Sequence, residues 1–257
     1  MQIPVTIDGQ MIQVERGTTV LEAARLLGIH IPTLCYHEAV TPYGACRLCQ
    51  VEVESHGRRR LRTSCEYPIL REGETIYTST EAVLQTRRLI VELLLARCPD
   101  VPVLHDLAAE LGLGKVRFKT VGEPSECILC GLCVRVCNEV LGRNAIGFVG
   151  RGVARGVSTP YAVHSDRCIG CGACACVCPT GAIRLSEHEG KRHLRFWNTQ
   201  VELVSCGSCG VQFAPEPAVL LARDRVPDLD DLLSLCPTCR GRRVRNCLVV
   251  GPEKAPV

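Results

Sequence analysis

Apolar residues alternate with polar ones at the start of the chain. Ile3, Val5 and Ile7 recur at every second position, as do Ile12 and Val14, the period of a half-buried strand. Asp8-Gly9-Gln10 lies between the two runs, and Asp-Gly is a hairpin signal, so strands are predicted over 2–7 and 11–15. Thr18 or Thr19 then caps a predicted helix that runs to Leu27, with Glu22 placed for a capping box and Gly28 as a stop. Cys49, Val51 and Val53 interleaved with polar residues predict a strand over 48–54, and Thr75-Ile76-Tyr77 a later one. A small sheet wrapped on one helix is the expected first module.

From Thr80 to Ala96 the period changes to 3.6. Val83, Leu84, Leu89, Ile90, Leu93 and Leu94 form an apolar stripe, with Arg87, Arg88 and Glu92 placed elsewhere. A second helix is predicted from Val103 to Leu111, ending at Gly112 and Gly114. The stretch 121–186 shows little regular periodicity outside its cysteine runs, which repeat at about 41 residues. The polar run Glu187–His193 reads as a linker, and a tail begins near Leu194. Within that tail an inserted helix is expected over Pro227–Leu235 and a closing strand around Cys247.

Composition changes this picture. The 257 residues are 46% hydrophobic but only 4% aromatic, with 19 cysteines, two methionines and one tryptophan. Such a density of cysteine is found where metals or cross-links substitute for core. Met1 runs directly into a strand-like stretch with no basic head and no apolar signal core, so the chain is expected to be cytoplasmic with reduced thiols that ligate metal. The longest apolar run, Leu89–Ala96, is interrupted by Glu92 and is too short for membrane insertion. A net charge of +3 is too mild to imply nucleic acid.

Sixteen cysteines fall into three groups. Cys35-x10-Cys46-x2-Cys49-x15-Cys65 gathers four thiolates on a loop containing Pro42, Gly44 and Ala45. Its spacing differs from the plant-ferredoxin one and admits a [2Fe–2S] cluster or a structural zinc. Cys127-x2-Cys130-x2-Cys133-x3-Cys137 and Cys168-x2-Cys171-x2-Cys174-x3-Cys178-Pro179 write the bacterial ferredoxin run twice. In that run the fourth cysteine ligates the other cluster. This assigns Cys127, Cys130, Cys133 and Cys178 to one [4Fe–4S] cluster, and Cys168, Cys171, Cys174 and Cys137 to a second. Gly131, Gly170 and Gly172 allow close backbone approach, and Asn138 stands where Pro is usual. Cys206-x2-Cys209 and Cys236-x2-Cys239 are paired knuckles, for which zinc is preferred over a further iron–sulfur cluster. Cys98, Cys176 and Cys247 are left over. Cys176 is expected to be a spare packed thiol, and Cys247 to be buried.

The residues also carry a resemblance. Ile31-Pro32-Thr33-Leu34-Cys35-Tyr36-His37, Gly44-Ala45-Cys46-Arg47-Leu48-Cys49, Thr63-Ser64-Cys65 and Arg87-Arg88-x-Ile90-x-Glu92-Leu93-Leu94 resemble one group of proteins. The group comprises the complex I peripheral-arm large subunit, the diaphorase small subunit of NAD-linked hydrogenases, iron-only hydrogenases and NAD-dependent formate dehydrogenases. The stretch 126–152 is similar to the same group, and the tail to zinc-ribbon-like ends of hydrogenase-linked ferredoxin subunits. The resemblance implies a [2Fe–2S] cluster on Cys35, Cys46, Cys49 and Cys65 in a β-grasp fold. It also exposes a departure: where such proteins place a His and three Cys for another cluster, residues 97–106 offer only Cys98 and His105. That cluster is expected to be absent, and both residues to be structural or incidental.

The fold class expected is α+β. A [2Fe–2S] ferredoxin domain spans 1–79, a helical connector 80–120, a 2[4Fe–4S] ferredoxin domain 121–190 and a CxxC/CxxC metal-binding module 191–257. No dinucleotide fingerprint, P-loop, flavin signature or nucleophile–His–acid set is present in the sequence, so no residue is assigned a catalytic role. The Arg58–Arg60 and Arg62 group is expected at a hairpin tip, and the basic run Arg240–Arg245 as a solvated or subunit-facing patch. The resemblance and the cysteines together imply an electron-transfer subunit of a hetero-oligomeric oxidoreductase complex. It would relay electrons between a flavin NAD(P)H module and a hydrogenase or formate dehydrogenase subunit, electron bifurcation being one form this takes. The alternative is a redox-sensing zinc-ribbon interaction or regulatory protein.

Overall fold

The computed structural model describes residues 1–120 and 123–250, with side chains as far as Arg245. The expected boundary at 120/121 borders residues outside that set. The chain divides into two compact units, residues 1–141 with 177–182, and residues 142–176 with 183 onward.

The first unit is built on a five-stranded sheet. Its strands are β1 (Gln2–Ile7), β2 (Gln10–Glu15), β3 (Gln50–Ser55), β4 (Arg58–Thr63) and β5 (Thr75–Tyr77), in the order β2-β1-β5-β3-β4. β1 runs parallel to β5 and the other pairs are antiparallel. Helix α1 (Val20–Leu26) starts at a capping box: Thr19 Oγ1 accepts from the Glu22 amide at 3.3 Å, and Glu22 Oε2 accepts from the Thr19 amide at 2.8 Å. Such a cap is worth about 1 kcal/mol. Val20, Leu21, Ala23 and Ala24 of α1 pack on Ile3, Val5, Ile7, Val51, Val53 and Ile76, and Cys49 and Cys65 belong to the same core. Each fully buried large aliphatic side chain there contributes roughly 1.5–3 kcal/mol.

Helix α2 (Glu81–Arg97) is seated by a different face than its periodicity suggests. Val83, Arg87, Val91, Glu92 and Leu95 are buried, whereas Leu89 and Leu93 are 40% and 50% exposed. Two polar groups win the inner face because each meets a partner that sequence distance conceals. Arg87 Nη2 donates to the Gln50 carbonyl at 2.7 Å. Glu92 receives Arg117 through its Nη2 at 2.7 Å, its Nε and its backbone amide. Helix α3 (Pro102–Glu110) follows, with Leu104, Leu107 and Ala108 buried. The Arg58–Arg62 group lies along strand β4 rather than at the hairpin tip, which is the His56-Gly57 turn. Helix α4 (Leu132–Arg135), a π-helical turn at Val136–Val140, and residues 177–182 complete the unit.

In the second unit a short pair, β6 (Gly147–Val149) and β7 (Gly156–Ser158), precedes the single helical turn α5 (Ala173–Cys176). A four-stranded antiparallel sheet follows, of β8 (Leu185–His188), β9 (Lys191–Leu194), β10 (Thr199–Ser205) and β11 (Gln212–Pro215) in the order β11-β10-β9-β8. The polar run expected to be a linker is therefore a hairpin. Glu189 and Gly190 both adopt positive φ, as a two-residue hairpin turn demands, and Glu187 faces Arg192 across the strands at 2.6 Å. Helices α6 (Glu216–Arg225), α7 (Asp230–Leu233) and α8 (Pro237–Val250) close the unit. The main helix between the knuckles is thus α6, while Pro227–Leu235 holds only a 3-10 turn and α7. Position 247 falls in α8, not in a strand; four arginines, good helix formers, stand at 240, 242, 243 and 245 in the run after Pro237. The Cys247 side chain lies outside the described residues.

Candidate metal centres

No disulfide links the described cysteines. In the first unit Cys35, Cys46, Cys49 and Cys65 are each no more than 8% exposed, on the irregular chain between α1 and β3 and at the end of β4. Gly44 holds the loop in a left-handed conformation (φ 58°) against Glu66, whose Oε2 would lie 1.8 Å from an added Cβ. The Cys46 amide points at Cys35 Sγ at 3.4 Å. The four thiols sit as two hydrogen-bonded pairs. Donation from Cys35 draws Cys46 down to about 6, and donation from Cys65 draws Cys49 down to about 7, while the same pairing and burial push Cys35 and Cys65 up. Four buried, mutually interacting soft donors beside a backbone amide fit a [2Fe–2S] cluster.

The same unit gathers Cys127, Cys130, Cys133 and Cys137 with Cys178. Burial raises Cys127 and Cys130, the latter to about 11, and the charge of Cys178 acts on both, so the distant cysteine lies beside this loop. The amides of Leu129 and Leu132 point at the sulfurs of Cys127 and Cys130. Leu129 takes a left-handed conformation (φ 56°) to achieve this, a strain of about 1–2 kcal/mol for a non-glycine residue. Gly131 reaches φ 75° without that cost.

This loop is joined to the first one. Arg135, two residues after Cys133 and two before Cys137, is 9% exposed and donates to the carbonyls of Cys35, at 2.7 Å, and of Thr41. Glu139 accepts from the Thr41 amide at 2.7 Å. Cys46 lies near enough to Cys130 for its charge to raise it. Sequence reasoning assigned no role to Arg135 or Leu129. Their one sequence signal was position within or beside the cysteine run.

Cys98 is fully buried at the end of α2, where burial pushes its thiol up to about 11. His105 Nε2 lies 2.6 Å from the Pro99 carbonyl. Both lie in the helical connector, Cys98 at the end of α2 and His105 within α3.

In the second unit Cys168, Cys171 and Cys174 lie close enough for the first two to act on Cys174, which burial raises to about 11. The tail sheet embraces their loop. Gly170 (φ 64°) faces Val201 and Pro215, with an added Cβ only 2.3 Å from Val201 Cγ2, and Arg192 Nη1 donates to the Gly170 carbonyl at 3.0 Å. Cys176, expected to be packed, is exposed, because it ends the single helical turn α5.

The four sulfurs of Cys206, Cys209, Cys236 and Cys239 lie within 4.8 Å of one another, the one group of metal-ligand type so tightly gathered among the described residues. Cys209 and Cys236 are 3.8 Å apart, about the separation of sulfurs around a tetrahedral ion with bonds of about 2.3 Å. The Cys236 amide donates to Cys206 Sγ at 3.3 Å, and this donation, with amides of the first knuckle, lowers Cys206 to about 6. The site is thus four sulfurs gathered at the spacing that one cation needs.

Two sites that collect buried cysteine sulfurs under backbone amides, linked through a buried arginine, define an iron–sulfur electron-transfer protein. A 2Fe-2S iron-sulfur cluster binding domain matches residues 1–81 and a 4Fe-4S dicluster domain residues 126–182. An NADH-quinone oxidoreductase subunit of Rhizobium meliloti (strain 1021) is 35% identical over 233 residues, covering 81% of this chain and 27% of the relative. NADP-reducing hydrogenase subunit HndD of Solidesulfovibrio fructosivorans is 35% identical over 217 residues, covering 73% of this chain and 36% of the relative. A chain of an NAD+-reducing [NiFe]-hydrogenase crystal structure in the H2-reduced state superposes with a TM-score of 0.54 at 31% identity, over 61% of this chain and 74% of that one. The chain belongs to the family of iron–sulfur subunits shared by NAD(P)-linked hydrogenases and complex I. It spans about a quarter to a third of the length of the curated relatives named here. No helix among the described residues is long and apolar enough to cross a membrane.

Proposed function

We propose that this chain relays electrons between a flavin NAD(P)H module and a separate hydrogenase or formate dehydrogenase subunit. Cys35, Cys46, Cys49 and Cys65 hold a [2Fe–2S] cluster on a β-grasp domain. Cys127, Cys130, Cys133 and Cys178 hold one [4Fe–4S] cluster. Cys168, Cys171 and Cys174 hold another, whose fourth ligand rests on the cysteine spacing alone. Such clusters, when bound, supply one-electron steps at potentials that the surrounding protein sets. The chain's own work is to bury the thiolates, aim amides at their sulfurs, and keep the first two centres adjacent. The observation that carries this reading is Arg135, which ties the loop of Cys35 to the run of Cys133.

The knuckle site holds one zinc in a ribbon-like module. The 3.8 Å sulfur separation supports this, since four irons would need the thiolates splayed further apart. The groove of about 410 Å³ lined by Arg58, Arg60, Arg62 and Arg71 on the first unit is a candidate face for an acidic partner subunit.

The test is the metal content of the anaerobically purified chain, with EPR spectra of its reduced form. About ten irons and one zinc are expected from the ligand sets, with distinct [2Fe–2S] and [4Fe–4S] signals. An iron-free preparation after anaerobic reconstitution would remove the reading. Near fourteen irons would mean that the knuckle site, or the stretch around Cys98 and His105, holds a further cluster.

A further inference from the structure

Cys174 has a hydrogen-bond partner from outside the matched dicluster domain, which ends at residue 182. Trp197 Nε1 donates to Cys174 Sγ at 3.3 Å. Trp197 is 2% exposed and is the one tryptophan of the chain. An indole N–H that is buried must find an acceptor, and this one is aimed at a sulfur.

The donor is held rigidly. Leu194 on β9 pairs with Thr199 on β10, closing a tight connection of four residues in which Asn198 adopts a left-handed conformation (φ 49°). Leu194 and Thr199 are each 1% exposed, and Thr199 Oγ1 donates to the Trp197 carbonyl at 3.1 Å. Phe196 packs edge-on against the indole, with ring centres 4.8 Å apart. The contacts of Arg192, Val201 and Pro215 with Gly170 fix the same sheet against the cysteine loop.

We infer that Trp197 is a redox-tuning residue, which raises the reduction potential of the cluster held by Cys174 through an indole N–H···S hydrogen bond. The inference rests on the reading that Cys174 is a cluster ligand. Reduction adds negative charge that is shared with the thiolate sulfurs, and a donor aimed at a sulfur stabilises that charge, so the reduced form gains most. No atom is transferred. The tail sheet thereby acts on electron flow through a residue that lies apart from the cysteine motifs.

The test uses the full chain, anaerobically reconstituted. Trp197→Phe keeps the ring and removes the donor. Iron content is expected to be unchanged. One [4Fe–4S] signal should titrate at a more negative potential, with its reduced-to-oxidised ratio at a fixed applied potential lowered roughly three- to tenfold, the worth of one hydrogen bond. The other two signals should hold their midpoints. Because the tryptophan is unique, 15N-indole labelling of the unmutated chain gives a second readout, a single 15N coupling to one reduced [4Fe–4S] cluster. That coupling decides the matter if the variant fails to fold. Unchanged midpoints in an iron-replete variant, or no 15N coupling in the unmutated chain, would overturn the inference. An unmutated chain that takes up no [4Fe–4S] cluster would instead overturn the underlying cluster assignment.

Discussion

Arg135 Nη2 donates to the main-chain carbonyl of Cys35 at 2.7 Å, across 100 residues of sequence. One guanidinium spans this carbonyl and that of Thr41, and its central carbon lies 5.5 Å from the centre of the Tyr43 ring. A fork of fixed geometry can serve two acceptors at once, which an ammonium on a flexible stem does poorly. Arg135→Ala is expected to destabilise the first unit by about 3 kcal/mol, from two charge-assisted hydrogen bonds lost in a buried setting. Arg135→Lys should recover less than half of that. Thermal unfolding of the apo chain gives the stability, and [2Fe–2S] EPR line shape reports whether the Cys35 loop has shifted. Equal stability of all three proteins would show that the arginine does not tie the loops.

Glu92 is expected to make the connector acid-sensitive. Its hydrogen bonds from Arg117 hold the carboxyl below the usual value of 4.5. A depressed folded-state value stabilises the fold fully above 4.5, and the contribution is lost as pH falls through the lower folded value. Stability of the unmutated chain should therefore fall on acidification below about 4.5. Glu92→Gln should be less stable at neutral pH and should show a shallower acid dependence. Parallel curves for the two proteins would contradict this.

Cys98→Ala tests the departure from the longer iron–sulfur pattern. The thiol is fully buried and burial keeps it protonated, so it behaves as a small apolar side chain. The variant should retain all its iron, with a loss of stability of about 1 kcal/mol from one small packing defect. Loss of about four irons would assign Cys98 to a further cluster.

Cys206→Ser with Cys209→Ser should remove zinc alone. Two thiolates remain, too few for a closed site. Zinc content should fall to near zero while iron and the EPR signals persist. In the unmutated chain a chelator should extract zinc faster at lower pH, because protons compete with the metal for the thiolate ligands. Joint loss of iron and zinc would contradict a separate tail site.

The sequence alone determined those features whose physics is local. The strands of the first hairpin, the capped helix at Thr19, both connector helices and the grouping of the cysteines follow from periodicity, caps and spacing, all within about 20 residues of chain. Only the tertiary structure decided which face of Glu81–Arg97 is buried, because the partners of Arg87 and Glu92 are Gln50 and Arg117, 37 and 25 residues away. The hairpin at 185–194 was illegible for a related reason: between Leu185 and Leu194 its strands are polar, and they are specified by a turn and by the cross-strand Glu187–Arg192 pair rather than by alternation. Arg135 and Trp197 were silent in the same way. An arginine inside a cysteine run and a lone tryptophan in a tail acquire meaning only when folding sets a donor against a particular carbonyl or sulfur. Such pairings depend on three-dimensional distance, which no local pattern encodes.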